Sequence, residues 1–296
     1  GMKKKIWILV GVIVVFAVIF GMWHRETGKR EKTAQTMQAT TESQKKNDGE
    51  DKKTQNMIIE IDPGHGGNQP GACASYNGEE IMEKDLNLKI AQYMKEALEE
   101  YPGTTVYLTR DGDQNPDLGE RVQKAKDDKA DLLISIHNNA DGKLAGYDNG
   151  CTVLTAKGDY EPSYAQTEQE LACCILSELE GLGLENQGIL LRTSENDSKY
   201  PNGSLSDYYY IVKNSLLQEI PGIIVEHAFI DDKEDYHQFL SSDQKLRQLG
   251  EADARAVAKY YRLGDEKNEL KDIEEKILLI SDPEGKNNKH YTQTYF

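Results

Sequence analysis

From residue 57 to 263 strand-like apolar runs alternate with helix-patterned segments, and this alternation restricts the chain to an α/β fold with a mainly parallel or mixed sheet covered on both faces. Strands are predicted at 57–62, 104–110, 131–137, 151–155, 189–193 and 222–229. Helices are predicted at 83–101, 118–129, 164–182 and 244–261. The first of these carries Leu86, Leu88, Ile90, Met94, Ala97 and Leu98 at largely helical spacing. One domain of about 205 residues is therefore expected, well within the size that a single core supports.

The flanks differ sharply from this body. Residues 6–23 read IWILVGVIVVFAVIFGMW without a charge, long enough for a membrane-spanning helix. No small-residue cleavage pattern follows, since Met22, Trp23, His24 and Arg25 come directly after, so an uncleaved anchor is expected. Residues 1–5 would then be a cytoplasmic start, with Gly1 ahead of Met2 reading as an artificial addition. Lys3, Lys4 and Lys5 compete with Arg25, Lys29, Arg30 and Lys32, so charge alone leaves the orientation tied. Residues 24–56 are rich in Thr, Gln, Lys and Glu and poor in apolar side chains, a flexible linker with a reach of about 30 Å. Residues 264–296 form a charged tail, interrupted only by Ile277-Leu-Leu-Ile280.

In an α/β sheet ligands bind outside the carboxyl ends of the strands. Three strand ends here carry reactive chemistry: Asp62-Pro-Gly-His-Gly-Gly67, Ile134-Ser-Ile-His-Asn-Asn139 and Ile224-Val-Glu-His227. Glu83, opening the first long helix, can lean over the same edge. Two imidazoles and a carboxylate are the ligand set of a catalytic zinc site, and the remaining carboxylate can shuttle protons. Spacing alone leaves open which of Glu83 and Glu226 takes which role.

Four segments carry a family resemblance: 57–72 (MIIEIDPGHGGNQPGA) with 83–86 (EKDL), Leu118-Gly-Glu-Arg121, Ser135-Ile-His-Asn-Asn-Ala140 and 221–229 (PGIIVEHAF). Together they resemble the zinc-dependent N-acetylmuramoyl-L-alanine amidases of the amidase-3 class, in the right order over about residues 57–262. The resemblance implies a central six-stranded sheet flanked by helices, one zinc ion per chain held by His65, Glu83 and His137, and Glu226 as the catalytic carboxylate. It implies that a metal-activated water hydrolyses the amide between N-acetylmuramic acid and L-alanine, with Glu226 taking and returning the proton. Peptidoglycan is then the substrate and the chain is expected to act as a monomer. The substrate also settles orientation: the catalytic domain lies on the outer, wall-facing side of a bacterial membrane. Two alternatives remain, a non-catalytic peptidoglycan-binding or regulatory module on this fold and a related zinc peptidase or deacetylase.

The chain departs from the family pattern at His227, where a small residue is usual after the glutamate, and at Gln187-Gly188, where many members have Arg-Gly. The first departure leaves the site intact if neighbouring strand residues point to opposite faces. The second, with the polar segment 193–208, bears on stem-peptide preference.

Other residues have simpler readings. The glycines around His65 do not complete a phosphate-binding fingerprint, because Gln69 stands at the third glycine position. Turn flexibility explains them better. Asp62 is expected to orient the loop, and Arg121 to form a buried ion pair. Cys73 has no adjacent base, Cys173 and Cys174 sit mid-helix as core residues, and Ser135 lacks a nucleophile elbow. His24 and His237 read as interfacial or surface residues, and Tyr208, Tyr209 and Tyr210 as packing or a saccharide or peptide groove. With 35 basic and 51 acidic residues the net charge is −16, which argues against a nucleic-acid partner.

Overall fold

The computed structural model describes residues 56–140 and 149–264, so the apolar run at 6–23, the linker as far as residue 55 and the tail from 265 onward lie outside the described residues. Among the described residues no helix is long and apolar enough to cross a membrane.

Six strands form one mixed sheet: β1 (Met57–Pro63), β4 (Thr104–Leu108), β5 (Leu132–Asn139), β6 (Cys151–Leu154), β7 (Asn186–Leu190) and β8 (Gly222–Phe229), in the order β4-β1-β5-β8-β6-β7. The four strands β4, β1, β5 and β8 run parallel, while β6 pairs antiparallel with β8 and parallel with β7. The chain leaves β1 toward β4 on one side and returns to β5 on the other, so β1 and β5 flank a topological switch point. Both strands begin as apolar runs because both faces are covered, and turn polar only toward their carboxyl ends.

On one face α1 (Glu83–Leu98), α3 (Pro162–Gly181) and α5 (Asp243–Tyr261) bury Ile59, Ile61, Ile134, Ile136, Ile223 and Val225. On the other, α2 (Leu118–Asp127) and α4 (Tyr210–Leu217) cover Leu133 and Ile224. Alternation along β5 and β8 thus sends Ser135, His137 and Glu226 to the α2–α4 face, and His227 to the α1–α3–α5 face.

The sequence expectations differ from the fold at three places. The strand expected at 189–193 is Asn186–Leu190, an edge strand that begins with polar Asn186 and Gln187 and with Gly188; the apolar residues used to find it are only its end. Arg192 is out of the sheet, its carbonyl accepting from Tyr208 N at 2.8 Å. A hairpin, β2 (Cys73–Tyr76) with β3 (Glu79–Met82), and helix α4 were not expected. Four-residue strands and an eight-residue helix that has no side-chain cap and starts in a run of tyrosines carry little periodicity.

Among the carboxyls buried in this sheet and its helices, Glu60 and Glu168 are held protonated well above their usual range. Glu60 is fully buried on β1, with Lys124 Nζ 3.6 Å away, and burial pushes its carboxyl up to about 8 despite that cation. Glu168 on α3 accepts from the backbone N–H groups of Ala156 and Gly222, and burial likewise raises it to about 8. A carboxyl whose folded pKa lies above its unfolded value stabilises fully below the unfolded pKa and loses that contribution as pH rises through the folded one. Unfolding free energy is therefore expected to fall between pH 5 and 8, each group contributing on the order of 1 kcal/mol per pH unit. Glu60→Gln should flatten that slope in denaturant titrations; an unchanged slope would contradict the assignment.

Candidate active site

The site begins where β1 ends. Pro63 closes the strand, and His65 adopts a left-handed backbone with φ 61°, uncommon for a residue with a side chain. Two buried arginines hold it there. Arg121 on α2 donates to the Asp62 carboxylate at 2.6 Å, to Pro63 O at 2.8 Å and to His65 O at 2.8 Å. Arg110, just past β4, donates to the carbonyls of Pro63, Gly64 and Lys84 at 2.8, 2.9 and 2.8 Å. Burial opposes ionisation of Asp62, but Arg121 and the hydroxyls of Ser135 and Thr109 outweigh it and hold the carboxyl below its usual range. The expected buried ion pair of Arg121 and the loop-orienting role of Asp62 are both present. Arg110 was missed, because nothing local in TRDGD marks an arginine as buried.

Glu83 opens α1 directly after the hairpin and is completely buried. Its Oε1 lies 2.9 Å from His137 Nδ1 and its Oε2 lies 3.1 Å from His65 Nε2. The backbone N–H of Ala72, Asn87 Nδ2 and the backbone N–H of Asn138 also donate to this carboxylate, at 2.9, 3.1 and 3.2 Å. Burial would raise its pKa, yet the hydrogen bonds and charges of the two histidines prevail and keep it well below the ordinary range. Burial pulls His137 down, toward the neutral imidazole that binds metals. The imidazoles of His65 and His137 meet edge to face, with centroids 4.9 Å apart.

His65, Glu83 and His137 thus offer three donor atoms within 4.8 Å of one another. Glu83, not Glu226, is the carboxylate between the imidazoles. Glu226 sits on β8 in register with His137, buried and on the same face of the sheet. The glycines make room for this cluster. A Cβ on Gly64 would lie 2.2 Å from the His137 ring, and one on Gly71 would lie 2.4 Å from Glu83 Oε2. Gly64 has an ordinary φ, so close approach and not turn flexibility accounts for it; Gly71, at φ +70°, needs both.

His227 points away from Glu226, as alternation requires. It is fully buried, donates from Nδ1 to the His137 carbonyl at 3.0 Å, and pairs through Nε2 with the Asp253 carboxylate of α5 at 2.7 Å. Burial opposes its charge, but Asp253 outweighs this and raises its pKa. Of the two cysteines expected in the core of α3, Cys174 is buried and Cys173 is only half-buried, and Cys73 is exposed at the hairpin start. His237 is exposed and lies edge-on to Tyr76.

Beside the cluster a cavity of about 630 Å³ is lined by His65 and His137, by Asn115 and Asp117 before α2, and by Tyr208, Tyr209 and Tyr210 at the start of α4. A three-donor cluster at the wall of such a cavity can hold a cation in contact with a bound substrate.

Comparison with known proteins agrees with this geometry. An endolysin of Bacillus phage SPP1 is 31% identical over 206 residues, which cover 70% of this chain and 66% of the endolysin. Among solved structures, Cwp6 from Clostridium difficile aligns with a TM-score of 0.58 at 32% identity, over 70% of this chain and 30% of Cwp6. AmiC2 of Nostoc punctiforme, an N-acetylmuramoyl-L-alanine amidase, aligns with a TM-score of 0.54 at 28% identity, over 70% of this chain and 98% of that one. The chain therefore spans just under two thirds of the endolysin and less than a third of Cwp6. The amidase-3 model, described as N-acetylmuramoyl-L-alanine amidase, matches residues 59–259, more than half of the chain. This chain belongs to the amidase-3 family of N-acetylmuramoyl-L-alanine amidases.

Proposed function

We propose that this domain is a zinc-dependent hydrolase cleaving the amide between N-acetylmuramic acid and L-alanine in peptidoglycan. The observation that carries the reading is the buried His65, Glu83 and His137 donor set, in a domain of this family, with Glu226 in register beside His137. Two imidazoles and one carboxylate suit zinc and leave a coordination position for water or substrate. When bound, zinc would polarise a carbonyl and lower the pKa of water to about 7.

The protein's own groups do the rest. Glu83, ionised and held by its backbone donors, and the imidazoles of His65 and His137 bind the cation. Arg110 and Arg121 fix the loop that carries His65, so little ordering is left for the bound state. Glu226 takes a proton from water as its oxygen bonds to the amide carbon, and delivers that proton to the alanine nitrogen as the C–N bond breaks. No covalent intermediate with the protein is needed.

The reading extends to the flanks. Residues 6–23 would anchor the chain in the cytoplasmic membrane, residues 24–56 would tether the domain, and the domain would work as a monomer on the wall side. An anchor supplies proximity to an anionic wall that a chain of net charge −16 does not gain by electrostatic attraction.

Mass spectrometry of digested peptidoglycan should show released stem peptides with an intact N-terminal alanine. Cleavage inside peptides, or released acetate, would indicate a peptidase or deacetylase, and no product would indicate a binding module. Glu226→Gln should keep its zinc and lose activity by about 10²-fold or more; turnover like the wild type would reject its role. His137→Ala should lose the metal, and stoichiometric zinc by elemental analysis in that variant would count against the ligand set. The full chain should partition with membranes and a chain lacking residues 6–23 should not; identical partitioning would rule out the anchor.

A further inference from the structure

Three consecutive tyrosines line the cavity that also holds His65 and His137, and they are not equivalent. Tyr209 is buried, whereas Tyr208 and Tyr210 are 38% and 41% exposed, among the most exposed large apolar side chains of the described residues. Large exposed rings beside a donor cluster are not accounted for by core packing.

Tyr208 is also pinned. The Arg192 guanidinium stacks on its ring, 3.6 Å from the centroid. Tyr209 meets it edge to face, with centroids 5.1 Å apart and ring planes at 78°. The Tyr208 N–H donates to Arg192 O, and the guanidinium is itself held by Glu195 at 2.6 Å. The result is a flat apolar surface fixed in place, with the adjacent cation already matched by an acid. Such a surface fits a neutral ring better than a carboxylate. The cavity wall adds amide groups at Gln69 and Asn115, suited to hydroxyl and acetamido groups. A pyranose presents that combination, with C–H groups on its face and polar groups around its edge.

We propose that Tyr208 is a saccharide-stacking surface that seats a ring of the glycan strand, with Arg192 as the positioning residue that fixes the tyrosine. The proposal rests on the reading of the site as a muramoyl amidase, since it assigns the sugar side of that substrate. Tyr208 sets which substrates are taken, and it touches the sugar and not the reacting amide.

Two substrates separate this role from a structural one: a disaccharide-linked stem peptide, and the same peptide carrying only a lactoyl group in place of the sugars. Tyr208→Ala should raise KM about tenfold on the first with kcat nearly unchanged, and leave the second unaffected. Tyr208→Phe, which keeps the ring, should behave as the wild type. Arg192→Leu should reproduce part of the KM increase on the first substrate only. Equal losses on both substrates, or none on either, would overturn the proposal. Calorimetric titration with a peptide-free N-acetylglucosaminyl-N-acetylmuramic acid disaccharide decides the matter independently of hydrolysis. Binding about tenfold weaker in Tyr208→Ala than in the wild type is expected. Equal affinities, or no binding by the wild type, would overturn it. A wild type that binds the disaccharide and hydrolyses neither substrate would instead refute the amidase reading and leave the sugar site standing.

Discussion

A carboxylate with no exposure to water is the constraint around which this end of the sheet is built. Glu83 can remain ionised there only because every side of it is answered, by two imidazoles, two backbone N–H groups and the Asn87 amide. Those partners come from four separate pieces of chain. His65 arrives on the loop after β1, Ala72 precedes the hairpin, Asn87 lies one turn along α1, and His137 and Asn138 end β5. One buried charge therefore fixes the mutual positions of four elements. It also explains why residues without side chains are required at Gly64 and Gly71, where a Cβ would press on His137 or on Glu83 itself.

The loop after β1 could not hold His65 at a left-handed φ on its own preference. Arg110 and Arg121 supply what the local sequence lacks, donating to the carbonyls of Pro63, Gly64 and His65. Both guanidiniums are buried; burial and the neighbouring Arg121 pull Arg110 down to about 10, which leaves it charged at neutral pH. Asp62 is the anion that makes two neighbouring buried cations tolerable. The same carboxylate accepts from Ser135 on β5, so the switch point is clamped across its two strands.

Much of this was legible in the sequence for a physical reason. Apolar runs at strand and helix periods place β1, β5 and β8 and the long helices within a few residues, and ligands in α/β sheets gather at strand ends, so His65, His137 and Glu226 stand out. Spacing alone left the choice between Glu83 and Glu226 open, and only the family resemblance made it, since it depends on where the hairpin delivers the start of α1. Arg110 was invisible because its role arises from contacts with residues 46 and 26 positions away, and the hairpin because its four-residue strands carry too little period to read. The tyrosines at 208–210 were ambiguous between packing and a groove, and the fold divides them, with Tyr209 packed and Tyr208 and Tyr210 open.

His227 shows how a departure from the family pattern is absorbed. On the face opposite Glu226 a larger polar side chain has to find partners within the helix layer, and it finds them in the His137 carbonyl and in Asp253. Asp253 in turn is buried on α5 and could not be carried there without a cation or donor opposite. The pair therefore ties the last helix of the domain to the backbone of a proposed metal ligand. With Asp62 and Ser135 gripping β5 from the α2–α4 face and His227 from the other, the strand that carries His137 is held on both sides of the sheet. The His227 side of that grip, at the His137 carbonyl, borders the β5–β8 register shift between His137 and Asn139, the point at which ladder hydrogen bonding alone would hold the strand least firmly.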